Sequence, residues 1–198
     1  IKTYWLKVPY DKPFEPTWYP GKRETHQHIL LVRVMTDEGI EGYGSGEFPF
    51  GLTPTYMTFI QDMIAPWLIG QDPLMIEKLA TRLKGDGRLA PRPWIVENAL
   101  WDILGKKAGL PAYKVMGGYR DHIPAYAAMC ELRSDEERQE DALRLLDEGF
   151  RAVKLRLFMP TMKEDIHIVE NIRKAVGDKM TIICDANQGP VRDRNFEG

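Results

Sequence analysis

Residues 151–187 read RAVKLRLFMPTMKEDIHIVENIRKAVGDKMTIICDAN, and this stretch decides the fold. Its two ends, RAVKLRLF (151–158) and MTIICDAN (180–187), are rich in β-formers. Between them Thr161 and Glu164 have capping-box spacing, and Ile166, Val169, Ile172 and Val176 repeat at helical spacing before Gly177 stops the run. Strand, helix and strand in this order imply a parallel pair, because parallel strands need a crossover. The same rhythm extends upstream. IPAYAAM (123–129) is strand-like, and Ser134 with Glu137 opens a helix that runs to Gly149.

The first 118 residues have another organisation, that of an α+β unit. HILLVRVM (28–35) and IEGYGSGE (40–47) form a hairpin around TDEG (36–39), where Gly39 supplies the positive φ. Residues 1–8 are placed to pair beside it. Helices are expected over 55–68, over 73–83 from Asp72-Pro73, and over 94–108 with Gly109 and Pro111 as terminators. Two aromatic loops interrupt this unit, FEPTWYPGK (14–22) and FPFGLTP (48–54).

Composition narrows the function classes. The 198 residues are 43% hydrophobic and 28% charged with net charge −2, and the sequence pI is about 6.1. No basic field points to nucleic acid or an anionic membrane. No apolar run approaches the ~20 residues of a membrane span, and IKTYWLKVPY has no signal-peptide core. Cys130 and Cys184 lie far apart without metal-type spacing and read as reduced thiols, so the expected location is the cytoplasm.

Strand parity then locates chemistry. Residues i and i+2 share a face about 6.6 Å apart. Val153, Leu155 and Leu157 fall on one face of their strand, and Lys154 and Arg156 on the other; Asp185 and Asn187 share a face of the next strand. Two cations, a carboxylate and an amide therefore converge near C-terminal strand ends, where parallel α/β folds place their active sites. A simple structural ion pair to Asp185 is one reading. An anionic ligand held by the cations, with a metal held by Asp185, is the other.

These pieces resemble the mandelate racemase/muconate lactonizing branch of the enolase superfamily over residues 1–188. VRVMTDEGIEGYGSGE (32–47) is similar to the capping-domain hairpin, and ALWDILGKKAGLPAYKVMGG (99–118) to the linker helix ahead of the barrel. KLR (154–156) stands where the family carries Lys-x-Lys, and DAN (185–187) where it carries its first metal ligand and a nearby Asn. The resemblance implies a capping domain over 1–118, then the first part of a TIM-type (β/α) barrel over 119–198. It implies an Mg²⁺ enzyme that removes the proton α to a carboxylate, with metal and cations stabilising the enediolate. Asp185 would be the metal ligand, Lys154 and Arg156 would face the substrate carboxylate, and Asn187 would orient a ligand or water. Trp18, Tyr19, Phe48 and Phe50, from the two aromatic loops, would form a lid. The partner is a small-molecule carboxylate, with no nucleic acid and no membrane, and the full-length form is expected to be a homo-oligomer.

Two departures shape the expectation further. Arg156 replaces the second lysine; arginine stays protonated, which suits it to hold a carboxylate and makes it a poor base. Losing one of two facing bases favours dehydration of an acid sugar, a lyase reaction, over racemisation, epimerisation or cycloisomerisation. Lys154, near a fixed positive charge and a metal, is expected to have a lowered pKa. Only three barrel strands fit after residue 119, and GPVRDRNFEG (189–198) lacks an apolar helical face. A closed barrel needs eight strands. The chain is therefore expected to be a fragment of a longer enzyme, or to lack an omitted region, and to be inactive alone. A non-catalytic binding or assembly module is the rival from another class.

Other features carry less. His26 and His28 share a strand face but have no third ligand nearby. GYGSG (42–46) and Gly117-Gly118 do not open helices, so neither is a phosphate loop. Trp94, Trp101, Ile103 and Leu104 read as core, and His122 and His167 as structural.

Overall fold

Alternation along the hairpin creates the first buried surface: Leu30, Val32 and Val34 turn inward, with exposures of 0%, 0% and 7%. A computed structural model of the chain describes residues 1–48, 52–88 and 93–186. They form two compact units, one from 1–11 and the described part of 25–121, the other from 12–24 and the described part of 122 onward. The sequence reading assigned 12–24 to the first unit. Backbone bonds place this segment in the second: Thr17 N donates to the Cys130 carbonyl (3.0 Å) and Leu132 N to that of Glu15 (2.8 Å).

Strands β1 (Lys2–Phe14), β2 (Glu24–Met35) and β3 (Glu41–Glu47) form a sheet in the order β1-β2-β3, with β2 and β3 antiparallel; all but residues 12–14 of β1 and Glu24 of β2 fall in the first unit. Gly39, at φ 81°, makes the turn. Helices α1 (Thr53–Phe59), α2 (Ala65–Leu68), α3 (Ile76–Asp86), α4 (Trp94–Ala108) and α5 (Ala112–Val115) follow. Leu30, Val32, Phe48, Ile64, Ile95 and Leu100 are among the residues of its core.

The Gly-x-Gly-x-Gly pattern of β3 serves helix packing. A Cβ on Gly42 would stand 2.0 Å from the Ala99 carbonyl oxygen, and one on Gly44 1.8 Å from that of Ile95. Only hydrogens fit between strand and helix, so α4 lies directly on the sheet. At this edge strand Tyr43 N donates to Asp102 Oδ2 (2.8 Å), and Lys106 Nζ donates to the Glu41 carbonyl (2.7 Å) and to Asp102 Oδ2 (2.7 Å). The helix thus satisfies edge groups that would otherwise invite another strand.

Several element boundaries differ from the sequence reading for local reasons. The expected helix 55–68 contains a π-turn at Ile60–Ile64, closed by Ala65 N donating to the Ile60 carbonyl. Pro66, without an N–H, breaks the regular ladder there. Asp72-Pro73 forms a turn instead of a first helical turn: Asp72 Oδ1 accepts from Leu74 N (2.9 Å), and α3 begins at Ile76. Trp94 is 43% exposed, since Ile95, Val96 and Ala99 take the buried face of α4.

The second unit alternates strand and helix: β4 (Ala127–Met129), α6 (Asp135–Asp147), β5 (Ala152–Arg156), α7 (Met162–Val176) and β6 (Thr181–Asp185). The sheet is parallel, in the order β4-β5-β6, and both capping boxes form. Met129, Val153 and Leu155 pack with Ala142, Ile168, Ile172 and Val176 of the helices. The buried stripe of α7 is Asp165, Ile168, Ile172 and Val176, so Ile166 lies outside it, 51% exposed. Asp165 takes that stripe's first position because Phe158 N and Met159 N both donate to its Oδ1 (3.0 Å each).

Candidate functional site

The parallel register fixes which side chains meet. Lys154 lies beside Ile183 and Arg156 beside Asp185, and the ladder continues with Leu157 N donating to the Asp185 carbonyl (3.0 Å). Val153 and Leu155, fully buried, face the helices. Lys154, Arg156 and Asp185 therefore share the opposite face. Lys154 reaches one step along its neighbour, with Nζ 2.6 Å from Asp185 Oδ2. The pair is partly shielded, with side-chain exposures of 30% and 16%.

The hydrogen bond to Asp185 raises the Lys154 pKa from its ordinary value; the lowered value expected from sequence was for a site that holds a metal. A carboxylate at hydrogen-bond distance outweighs the desolvation that lowers it.

Aromatic rings flank both cations. Lys154 Nζ lies 5.8 Å from the centre of the Tyr126 ring, and the Arg156 guanidinium carbon 4.8 Å from that of Trp18. Sequence reasoning did not single out Tyr126, although parity offered a signal: it lies two residues before Ala128, the register partner of Lys154. Tyr19, 52% exposed, lies near the Lys22 ammonium, 5.6 Å from ring centre to Nζ. Phe48 is placed differently from these two. Only 1% exposed, with its ring centre 4.0 Å from that of Tyr56, it is a core residue of the first unit. Phe50 and Asn187 lie outside the described residues.

The loops at these strand ends are fixed from below. Arg138, 1% exposed, donates to the carbonyls of Glu131 and Arg133 (3.3 Å each), and its guanidinium carbon is 5.0 Å from the Phe158 ring centre. Burial pushes its pKa below the usual arginine value. Together with Asp165 it ties down the segments after β4 and β5. Sequence spacing gave no signal for it, because Arg138 reads as an ordinary charged helix residue.

Asp185 offers one hard carboxylate oxygen donor, which suits a hard divalent cation. Among the described residues no group of three His, Cys, Asp or Glu side chains is placed to hold a metal ion, so Asp185 fits as one ligand of a set and not as a whole site. His26 and His28 have other roles: Thr25 Oγ1 lies 2.9 Å from His26 Nδ1, and Trp5 Nε1 donates to His28 Nδ1 (3.1 Å). Among the described residues no helix is long and apolar enough to cross a membrane.

Comparison with known proteins shows the family. Residues 9–117 match the family model for the mandelate racemase/muconate lactonizing enzyme N-terminal domain, and residues 137–197 that for the enolase C-terminal domain-like family. The chain is 29% identical to N-succinyl-L-Arg/Lys racemase of Bacillus cereus over 196 residues, covering 96% of this chain and 52% of the relative. It is 30% identical to arabinonate dehydratase of Saccharolobus solfataricus, covering 84% and 47%. A crystal structure of a racemase from Streptomyces coelicolor with bound magnesium superposes with a TM-score of 0.83 at 26% identity, covering 94% of this chain and 54% of that one. The chain thus spans about half the length of the relatives it matches. With the hairpin, the parallel strand ends and both matches in one order, the chain belongs to the mandelate racemase/muconate lactonizing enzyme branch of the enolase superfamily.

Proposed function

We propose that the full-length protein is an Mg²⁺-dependent enzyme that removes the proton α to a carboxylate and dehydrates an acid sugar. The observation that carries this reading is the convergence of Lys154, Arg156 and Asp185 on one face at adjacent C-terminal strand ends, with Lys154 and Asp185 in contact at 2.6 Å. A proton α to a carboxylate is very weakly acidic, so the charge that develops as it leaves must meet fixed positive charge. A bound divalent ion supplies Lewis-acid stabilisation of that charge. Asp185 would be one of its ligands, with further donors from beyond the described residues. Lys154 would lie against the substrate carboxylate. Arg156 would hold a carboxylate or hydroxyl oxygen through its planar fork of donors. Trp18 and Tyr19 would border the ligand as lid residues.

In the reaction the α C–H bond breaks, its proton going to a base and its electron pair into the enediolate of the carboxylate. Collapse of the enediolate forms a C2=C3 double bond as the β C–O bond breaks, the hydroxyl leaving as water with a proton from an acid. Tautomerisation of the resulting enol gives a 2-keto-3-deoxy acid. The proton-accepting base and the leaving-group acid would come from the part of the barrel beyond this chain.

Racemisation or epimerisation is the second reading, favoured by the similarity to the B. cereus racemase over 96% of the chain. Arg156 weighs against it, because a permanently protonated side chain cannot exchange a proton on one of two faces. The two separate on incubating full-length protein with Mg²⁺ and a panel of acid sugars and N-acyl amino acids in D₂O. Formation of 2-keto acid is the expected outcome. Deuterium entering with inversion at Cα, without water loss, would sink the dehydratase reading.

A further inference from the structure

A long arginine side chain at a strand end samples many rotamers unless something restrains it. In this chain the Arg156 guanidinium carbon lies over the Trp18 ring, 4.8 Å from its centre. The indole is itself braced, with the Phe14 ring centre 6.0 Å away at a tilt of 56°. The backbone just before it is anchored: Pro16 bridges to Glu131, Thr17 N donates to the Cys130 carbonyl (3.0 Å), and Leu132 N donates to that of Glu15 (2.8 Å). The far end of the loop folds back onto the Glu15 carboxylate, which accepts from Gly21 N (2.8 Å) and Arg23 Nε (3.2 Å).

We propose that Trp18 is a positioning residue for Arg156, stacking on the face of the guanidinium so that its N–H edge keeps one orientation toward a ligand carboxylate or hydroxyl. Stacking engages the π face and leaves in-plane hydrogen bonding geometrically possible. The loop 14–22 is on this view a fixed wall of the site. What Arg156 would bind rests on the proposed function, whereas the stacking itself is testable without any ligand.

In full-length protein, phenylglyoxal labelling of Arg156, read by peptide mass mapping, reports access to the guanidinium. Trp18→Leu is expected to speed labelling about 3-fold or more, while Trp18→Phe, which keeps a π face, stays within about 2-fold of the parent. Unchanged labelling in Trp18→Leu would overturn the proposal, as would equal acceleration in both variants. Should Trp18→Leu fail to fold, Arg156→Met probes the contact from the other side. Amide exchange across residues 14–22 is then expected to rise about 3-fold or more, and unchanged exchange would overturn the proposal. Failure of the dehydratase reading shows separately, as absence of 2-keto acid across the substrate panel while the labelling response persists.

Discussion

A methyl group at position 44 tests how the first unit is built. The Cβ of Gly44→Ala would stand 1.8 Å from the Ile95 carbonyl oxygen, 2.9 Å from the carbonyl carbon and 3.0 Å from Ala99 N, all backbone atoms that cannot rotate away. Ordinary contact begins at 3.4 Å, so α4 would have to retreat by about 1.6 Å. A shift of that size takes the bonds from Tyr43 N to Asp102 (2.8 Å) and from Lys106 Nζ to the Glu41 carbonyl (2.7 Å) beyond hydrogen-bond range. Overpacking of a tight core costs about 1–3 kcal/mol, and each lost hydrogen bond adds about 1 kcal/mol. The expected loss is therefore about 3–5 kcal/mol, a large share of the ~5–15 kcal/mol that holds a typical domain together. Urea unfolding of full-length protein, followed by far-UV circular dichroism, reads it as a lower midpoint at similar slope. Gly85→Ala is the matched control: nothing lies within 4 Å of its Cβ in α3, so a gain of about 0.5–1 kcal/mol is expected. A loss under about 1 kcal/mol for Gly44→Ala, or similar losses for both variants, would refute the close-approach argument.

Further measurements bear on the second unit. Asp185→Asn removes both the partner of Lys154 and the proposed metal ligand; turnover by full-length protein should fall at least about 100-fold and calorimetric Mg²⁺ affinity with it. Arg156→Lys keeps the charge but loses the fork and much of the stacking, so kcat/KM should drop about 10–100-fold, chiefly through KM. Ser134→Ala breaks the capping box of α6 and should cost about 1 kcal/mol in urea unfolding. The Glu15 carboxyl is held below its ordinary value of 4.5, first by the Gly21 N–H and then by Arg23. A lowered carboxylate pKa stabilises the fold above the unfolded value and ceases to do so as pH falls through the folded one. Amide protection of residues 15–23 should thus be constant above pH 4.5 and decline below it, and a loop equally protected after Glu15→Gln would contradict that.

The alternation of strand and helix after residue 121 was legible because period-2 and period-3.6 patterns are local, as were both capping boxes and the Gly39 turn. Tertiary effects were not. Nothing in GYGSG distinguishes a flexible strand from one on which a helix rests, because the obstructing atoms are the carbonyls of Ile95 and Ala99, some 50 residues away. The departure of the α7 stripe from its apolar pattern has a similar origin, since Asp165 is buried by hydrogen bonds to the preceding loop and not by its own hydrophobicity. The aromatic loops show the same limit. Composition treats Trp18 and Phe48 alike, yet one stacks on a cation of the second unit and the other fills the core of the first.

The ion pair between Lys154 and Asp185 by itself suits a structural role as well as a functional one, so its existence does not choose between them. Stoichiometry and placement weigh more. β5 presents two cations, Lys154 and Arg156, on the face where β6 presents the single carboxylate Asp185, and the strand ends where they meet carry loops tied down by Arg138 and Asp165. A device meant only to join two strands needs one charge of each sign, which Lys154 and Asp185 already supply at 2.6 Å. On the proposed function a substrate carboxylate would meet both cations of β5. Removing the second cation therefore separates the roles. Arg156→Met should leave stability unchanged or slightly raised if no anion binds there, and should abolish anion-dependent stabilisation in a thermal-shift titration with acid sugars if one does. A variant that still responds to the ligand as the parent does would mean that the cations are scaffold.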